Sequence, residues 1–204
     1  MRHAWSGAVV ERDARQGELP AVEDTAALVI TGSPESVASR APWILAAERA
    51  VASVVEAGIP TLGICFGHQL LGQALGGFVE PNPRGREIGS VELALVADDP
   101  LLVPREGPFV ANMSHRDSVT RLPAGARVLA RTELEPHAAV RFGELAWGVQ
   151  FHPEFDGDIM RGYIEARRDT LRNEGLDPDA LAAVDAPDAA RVLETFARLA
   201  QTAG

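Results

Sequence analysis

From Ala26 to Gly77 the chain alternates short apolar runs with stretches of helical period, and this restricts the fold more than any other feature. Ala26-Ala27-Leu28-Val29-Ile30 is an unbroken apolar run closed by Thr31-Gly32-Ser33-Pro34, which reads as a short buried strand ended by a turn. Pro42 stands where a helix can begin, because a first helical turn leaves that N–H unpaired in any case. Trp43, Ile44, Ala47, Ala50, Val51, Val54 and Val55 then recur at helical spacing, and Gly58 supplies the stop. A second apolar strand over 59–64 and a second helix over 68–75 follow, the latter halted by Gly76-Gly77. Strands apolar on both faces need helices on both sides, so this order predicts an α/β fold with a parallel sheet. The middle of the chain differs. Residues 88–96, 109–111, 127–132, 138–142 and 145–151 read as strands with no helix between them, which predicts a small antiparallel extension. Helices return at 159–172 and 189–200. In the last, Val192, Leu193, Phe196 and Leu199 form one apolar stripe, expected to dock on the chain's own core.

Composition narrows the function. With 204 residues, 46% of them hydrophobic, the chain can bury a core of its own. A formal charge of −10 argues against binding to nucleic acid or to an anionic membrane surface. All 19 basic residues are arginine, so Schiff-base and P-loop lysine chemistry are excluded. No apolar run approaches the roughly 20 residues needed to span a bilayer, and the first residues lack the apolar core of a secretory signal. One cysteine can form no internal disulfide and no cysteine cluster for zinc. A cytoplasmic protein is expected, with neither metal nor cofactor called for.

That cysteine lies in Gly63-Ile64-Cys65-Phe66-Gly67-His68-Gln69, between a buried strand and a helix. A residue on such an elbow is forced out at the top of the sheet, and glycines two residues either side relieve the crowding. The helix N-terminus there favours thiolate over thiol, so Cys65 is a candidate nucleophile rather than a small buried hydrophobe. A cysteine nucleophile needs a base. Of His3, His68, His115, His137 and His152, only His152 stands just past an apolar strand end, in Gly148-Val149-Gln150-Phe151-His152-Pro153-Glu154. Strand ends at one edge of a parallel sheet are where such groups meet. Glu154 can reach the far imidazole nitrogen and fix its tautomer, which makes Cys65, His152 and Glu154 a candidate triad.

These two segments together resemble the class I (triad) glutamine amidotransferases, in particular the amidotransferase domain of GMP synthases and its stand-alone relatives. The likeness runs from about Ala8 to about Phe155. It takes in Thr31-Gly32-Ser33-Pro34-Glu35-Ser36, the stretch 84–89 and Met113-Ser114-His115-Arg116-Asp117. It implies a single domain over 1–204, with 1–155 matching the family and 156–204 adding C-terminal helices. It also implies a mostly parallel, doubly wound (flavodoxin-like) sheet.

The resemblance further implies that Cys65 attacks the side-chain amide of glutamine, forming a γ-glutamyl thioester and releasing ammonia. His152 would protonate the leaving nitrogen and then activate water, with Glu154 orienting it. Backbone N–H groups of Ser33 and Phe66 would hold the oxyanion; relatives often carry glycine at the Ser33 position. Gly32, Gln69 and the Ser114-His115 backbone match positions that recognise the glutamine head group. Two departures are expected to matter. The chain lacks the ATP-dependent domain and the phosphate-binding loop of GMP synthases, so the ammonia acceptor would be a separate synthetase. The family's first strand and helix, ahead of the segment resembling Ala8 to Pro20, are missing, which predicts an unpaired sheet edge and an exposed apolar groove. Other readings remain beside the first: a γ-glutamyl peptide hydrolase with no acceptor, and a non-catalytic glutamine- or ligand-binding regulatory module. A dienelactone-hydrolase-like enzyme fits less well, because there the acid precedes the histidine in the chain whereas Glu154 follows His152.

Overall fold

A computed structural model describes residues 4–103 and 107–203; His3 lies outside them. The strands β1 (Leu28–Ile30) and β2 (Thr61–Ile64) alternate with the helices α1 (Pro42–Glu56) and α2 (Phe66–Ala74), as the sequence pattern predicts. Pro42 opens α1, whose inward face is Ile44, Ala47, Val51 and Val54, spaced three and four apart. All four residues of β2 are buried. The remaining strands are β3 (Phe78–Pro81), β4 (Glu87–Leu95), β5 (Phe109–His115), β6 (Asp117–Arg121), β7 (Arg127–Arg131), β8 (Ala139–Gly143) and β9 (Ala146–Val149). Three helices close the chain: α3 (Gly157–Ala166), α4 (Arg168–Asn173) and α5 (Pro187–Ala203).

Seven strands form one sheet in the order β1-β2-β9-β8-β7-β4-β5. Parallel pairing joins β1, β2 and β9, with Ile30 opposite Gly63 and Gly63 opposite Gly148. From β9 through β8, β7 and β4 to β5 every pairing is antiparallel. The α/β class is therefore as expected, but the antiparallel part is four strands rather than a small addition. Helices cover both faces. Leu62, Ile64, Trp147 and Val149 pack with Val192 and Phe196 of α5, while Ala146, Val140 and Phe142 pack with Ile44, Ala47 and Val51 of α1 and Leu70 and Leu71 of α2. The apolar stripe of α5 docks on the core, with the Trp147 and Phe196 rings edge to face at 6.3 Å. No described helix is long and apolar enough to cross a membrane.

Two features differ from the sequence expectation. A second, two-stranded sheet pairs β3 with β6. Its pattern is too short to read, since Val79 is the one buried residue of β3 and Pro81 closes the strand. The helix expected over 159–172 is two helices, broken at Arg167, whose φ of −115° leaves the helical range. The unpaired sheet edge is as expected: β1 is only three residues long and has a single partner, β2. Its other edge borders an open groove of about 1160 Å³, walled by Trp43 and Val51 of α1 on one side and Phe196 and Ala197 of α5 on the other.

The turn from β2 into α2 crosses β1 at minimal distance. A Cβ on Gly67 would lie 2.1 Å from the carbonyl oxygen of Ile30, and one on Gly63 would lie 2.4 Å from that of Gly67. Backbone cannot yield as a side chain can, so Gly67→Ala is expected to cost about 3 kcal/mol or more of stability, measured by urea denaturation. Gly162→Ala in α3, where no atom lies within 4 Å of the added Cβ, is expected to be stabilising by roughly 0.5–1 kcal/mol. Equal effects at the two positions would refute the close-approach argument.

Candidate active site

Cys65 joins β2 to α2 with φ 50° and ψ −104°. Among described non-glycine residues only Arg40 shares a positive φ, and such a conformation persists only where surrounding structure enforces it. The enforcement is visible. The Cys65 N–H donates to the Val149 carbonyl at 2.8 Å, and its own carbonyl accepts from the Gln69 N–H at 3.1 Å. Phe66 is the first residue of α2, so its N–H has no acceptor within the helix.

His152 follows β9, and its N–H donates to the Asn112 carbonyl of β5 at 2.8 Å. Its Nδ1 lies 2.8 Å from Glu154 Oε1. A carboxylate there fixes the tautomer in which Nδ1 carries hydrogen and leaves Nε2 free for the sulfur. The ring stacks on Phe155 at 4.1 Å between centroids and 13° between planes. Burial works against the imidazolium, but hydrogen bonds to Cys65 and Glu154, with their charges, outweigh it and push the His152 pKa up to about 10. His68, in the same motif as Cys65, goes the other way. It is fully buried against Phe142, and burial, helped by His137 and His115, pushes its pKa down to about 3. His152 is thus held charged and His68 neutral.

The rest of the site closes around this pair. A Cβ on Gly32 would lie 3.2 Å from His152 Cε1 and 4.0 Å from Cys65 Cβ, so the loop after β1 sits directly on both residues, with Ser33 next along it. The Ser114 carbonyl, near the end of β5, is 3.9 Å from Cys65 Sγ. Gln69 and His115 are nearby, but their side chains are engaged internally. The Gln69 amide donates to the Asp117 carbonyl at 2.8 Å and to Gln150 Oε1 at 3.0 Å. The His115 ring bridges the Asp117 carbonyl at 3.0 Å and Glu87 Oε2 at 3.2 Å.

Sequence reasoning missed Asn112. Fully buried in β5, it accepts from the Ser90 hydroxyl at 2.6 Å and donates to the Phe155 carbonyl at 3.0 Å, fixing the turn that carries His152 and Glu154. An asparagine inside the apolar run Phe109-Val110-Ala111-Asn112-Met113 was the available signal, since a buried amide must find partners.

The glutamine amidotransferase class-I family matches residues 7–166 of this sequence. The chain belongs to that family. A GMP synthase [glutamine-hydrolyzing] of Aeropyrum pernix is 41% identical over 134 residues, covering 66% of this chain and 25% of the relative. One of Thermosipho melanesiensis is 40% identical over 159 residues, covering 74% and 29%. The chain therefore spans about a quarter of the length of these curated relatives. Among solved structures, a glutamine amidotransferase from Thermotoga maritima matches with a TM-score of 0.71 at 24% identity, covering 92% of this chain and 84% of that one. One from Methylobacillus flagellatus matches with a TM-score of 0.74 at 22% identity, covering 92% and 80%. Both share the fold.

The charge on His152 has a consequence for stability. Its folded pKa, about 10, exceeds the ordinary 6.5, so its contribution is complete below pH 6.5 and is lost as the pH rises through about 10. Melting temperatures recorded from pH 6 to 10.5 should therefore fall more steeply for the wild type than for His152→Gln. Parallel curves would mean that His152 is not held as the cation.

Proposed function

We propose that the chain hydrolyses the side-chain amide of glutamine, or of a γ-glutamyl amide, and passes the ammonia to a separate synthetase. The observation that carries this reading is one imidazole, His152, whose Nδ1 lies 2.8 Å from Glu154 Oε1 and whose pKa is pushed up to about 10 by the neighbouring Cys65 as well as by Glu154. In this reading the Cys65 thiolate attacks the amide carbon, and the carbonyl oxygen becomes an oxyanion held by the N–H groups of Phe66 and Ser33. His152 gives its proton to the nitrogen as the C–N bond breaks, so ammonia leaves and a thioester remains. Neutral His152 then takes a proton from water. The hydroxide adds to the thioester, the C–S bond breaks to return the thiolate, and the γ-carboxylic acid released gives its proton to solvent, leaving His152 protonated for the next cycle. Glu154 keeps Nε2 directed at the reacting atoms, and stacking on Phe155 holds the ring plane. Gly32, Gln69, Ser114 and His115 border the substrate in this reading, the last three through backbone or already engaged groups.

The synthetase partner rests on the relatives, which are glutamine-hydrolysing GMP synthases about four times longer than the matched segment. Ammonia delivery predicts little turnover until the partner binds, whereas a γ-glutamyl hydrolase without an acceptor would be fully active alone.

A glutamine-shaped chloroketone should add once to the intact protein, as read by mass spectrometry, with excess glutamine protecting and Cys65→Ala giving no adduct. No adduct on folded protein would favour a non-catalytic binding module. Cys65→Ser or His152→Ala should lower ammonia release by at least about 1,000-fold with little loss of fold. Glu154→Ala should be milder, because the Glu154 side chain is 39% exposed and water can replace it at Nδ1. Substantial turnover by either of the first two variants would overturn the assignment.

A further inference from the structure

We propose that Ser36 and Asp117 form a latch that holds the loop after β1 over Cys65, which makes Asp117 a positioning residue for the reaction described above. The inference rests on that reading of the site.

The loop needs such an anchor. It follows an edge strand of three residues bonded on one side only, with the open groove along the other. Yet it passes so close to the site that a Cβ added at Gly32 would lie 3.2 Å from His152 Cε1 and 4.0 Å from Cys65 Cβ. A loop that carries an oxyanion donor must be fixed to a fraction of an ångström, and the strand leading into it is poorly placed to do that.

Asp117 meets the requirement through two different groups. Its carboxylate Oδ2 accepts the Ser36 hydroxyl, 81 positions away in the chain. That hydroxyl also accepts from the Ala38 N–H at 3.2 Å, so its single proton is committed to Asp117. The Asp117 backbone carbonyl accepts from Gln69 Nε2 at 2.8 Å and from His115 Nδ1 at 3.0 Å, filling both lone pairs. Gln69 lies one turn beyond Cys65 in α2, and its N–H bonds the Cys65 carbonyl. His115 follows Ser114, whose carbonyl is 3.9 Å from the thiol. The far side of the His115 ring is held by Glu87 at 3.2 Å, and Glu87 Oε1 in turn accepts the Thr132 hydroxyl at 2.6 Å. One residue therefore ties together the nucleophile's helix, the end of β5 and the oxyanion loop. The first two are braced from elsewhere. The loop's far end is seated by Val37, fully buried in the core beside α2, and its polar link to the other two is the Ser36 hydroxyl.

Because the latch acts on the oxyanion donor and not on the thiol, its loss should appear in the chemical step. Ser36→Ala and Asp117→Ala, the latter sparing the backbone carbonyl, should each lower kcat for ammonia release by about 10- to 100-fold, with KM for glutamine changed less than about threefold. The double variant should be no worse than the weaker single. Ser36→Thr, which keeps the hydroxyl, should restore most of the rate. Alkylation of Cys65 by iodoacetamide, which forms no oxyanion, should proceed at the wild-type rate in all of them. Amide exchange over 31–36 should quicken in Ser36→Ala while β2 stays protected. A Ser36→Ala enzyme with wild-type kcat and loop exchange would overturn the latch and leave the amidase reading intact. A wild type inert toward both glutamine and the chloroketone would overturn both. Equal slowing of iodoacetamide alkylation and turnover would overturn the latch by showing general disruption of the site.

Discussion

The site depends first on one backbone reversal. At Cys65 the chain leaves a fully buried strand and enters a helix within a single residue, at a φ that an L-residue adopts only under constraint. Two glycines make the reversal sterically possible, because the first turn of α2 presses against β1 on one side and against β2 on the other. Hydrogen bonds from the Cys65 peptide to β9 and to the second turn of α2 then hold it. The thiol consequently projects where β9 ends and His152 begins, and the first N–H groups of α2 are left without helical partners beside it. The reversal thus puts the thiol and the free N–H groups of α2, the proposed nucleophile and oxyanion donor, beside the turn that carries His152.

Electrostatics then separates two histidines of the same neighbourhood. His68 lies in the helix after β2 and His152 just after β9, yet burial without a charged partner keeps the first neutral while Cys65 and Glu154 keep the second protonated. The contrast follows from what each ring nitrogen meets. In His68 both lie buried without a hydrogen-bond partner, whereas in His152 one meets a carboxylate at 2.8 Å. Burial disfavours charge in both cases, and only specific bonding reverses it.

The antiparallel half of the sheet is more than an extension. Asn112 and Ser114 of β5, His115 at its end and Glu87 of β4 supply the supports on which the His152 turn and the thiol's surroundings rest. The opposite end of the sheet is built differently. There β1 has one neighbour and faces a groove between two helix layers, although the loop it leads into passes close to Cys65 and His152. The sheet is thus braced by strand pairing on one side of the site, while on the other the loop after β1 is held by the burial of Val37 and by the bond between Ser36 and Asp117.

The sequence alone determined the α/β order of the first 77 residues, because apolar runs, proline starts and glycine stops act locally. It also determined the identity of the thiol, imidazole and carboxylate, since an elbow cysteine and a post-strand histidine are marked by their immediate neighbours. It did not disclose the β3–β6 pair, whose strands carry too few buried positions to show a period. Nor did it disclose the break at Arg167 within one helical stretch. The bonds from Asn112 to Phe155 and between Ser36 and Asp117 were equally hidden, because those partners are 43 and 81 positions apart. Local pattern fixes which groups are present and on which element. Only the tertiary structure decides which polar groups meet in a buried space where each must find a partner.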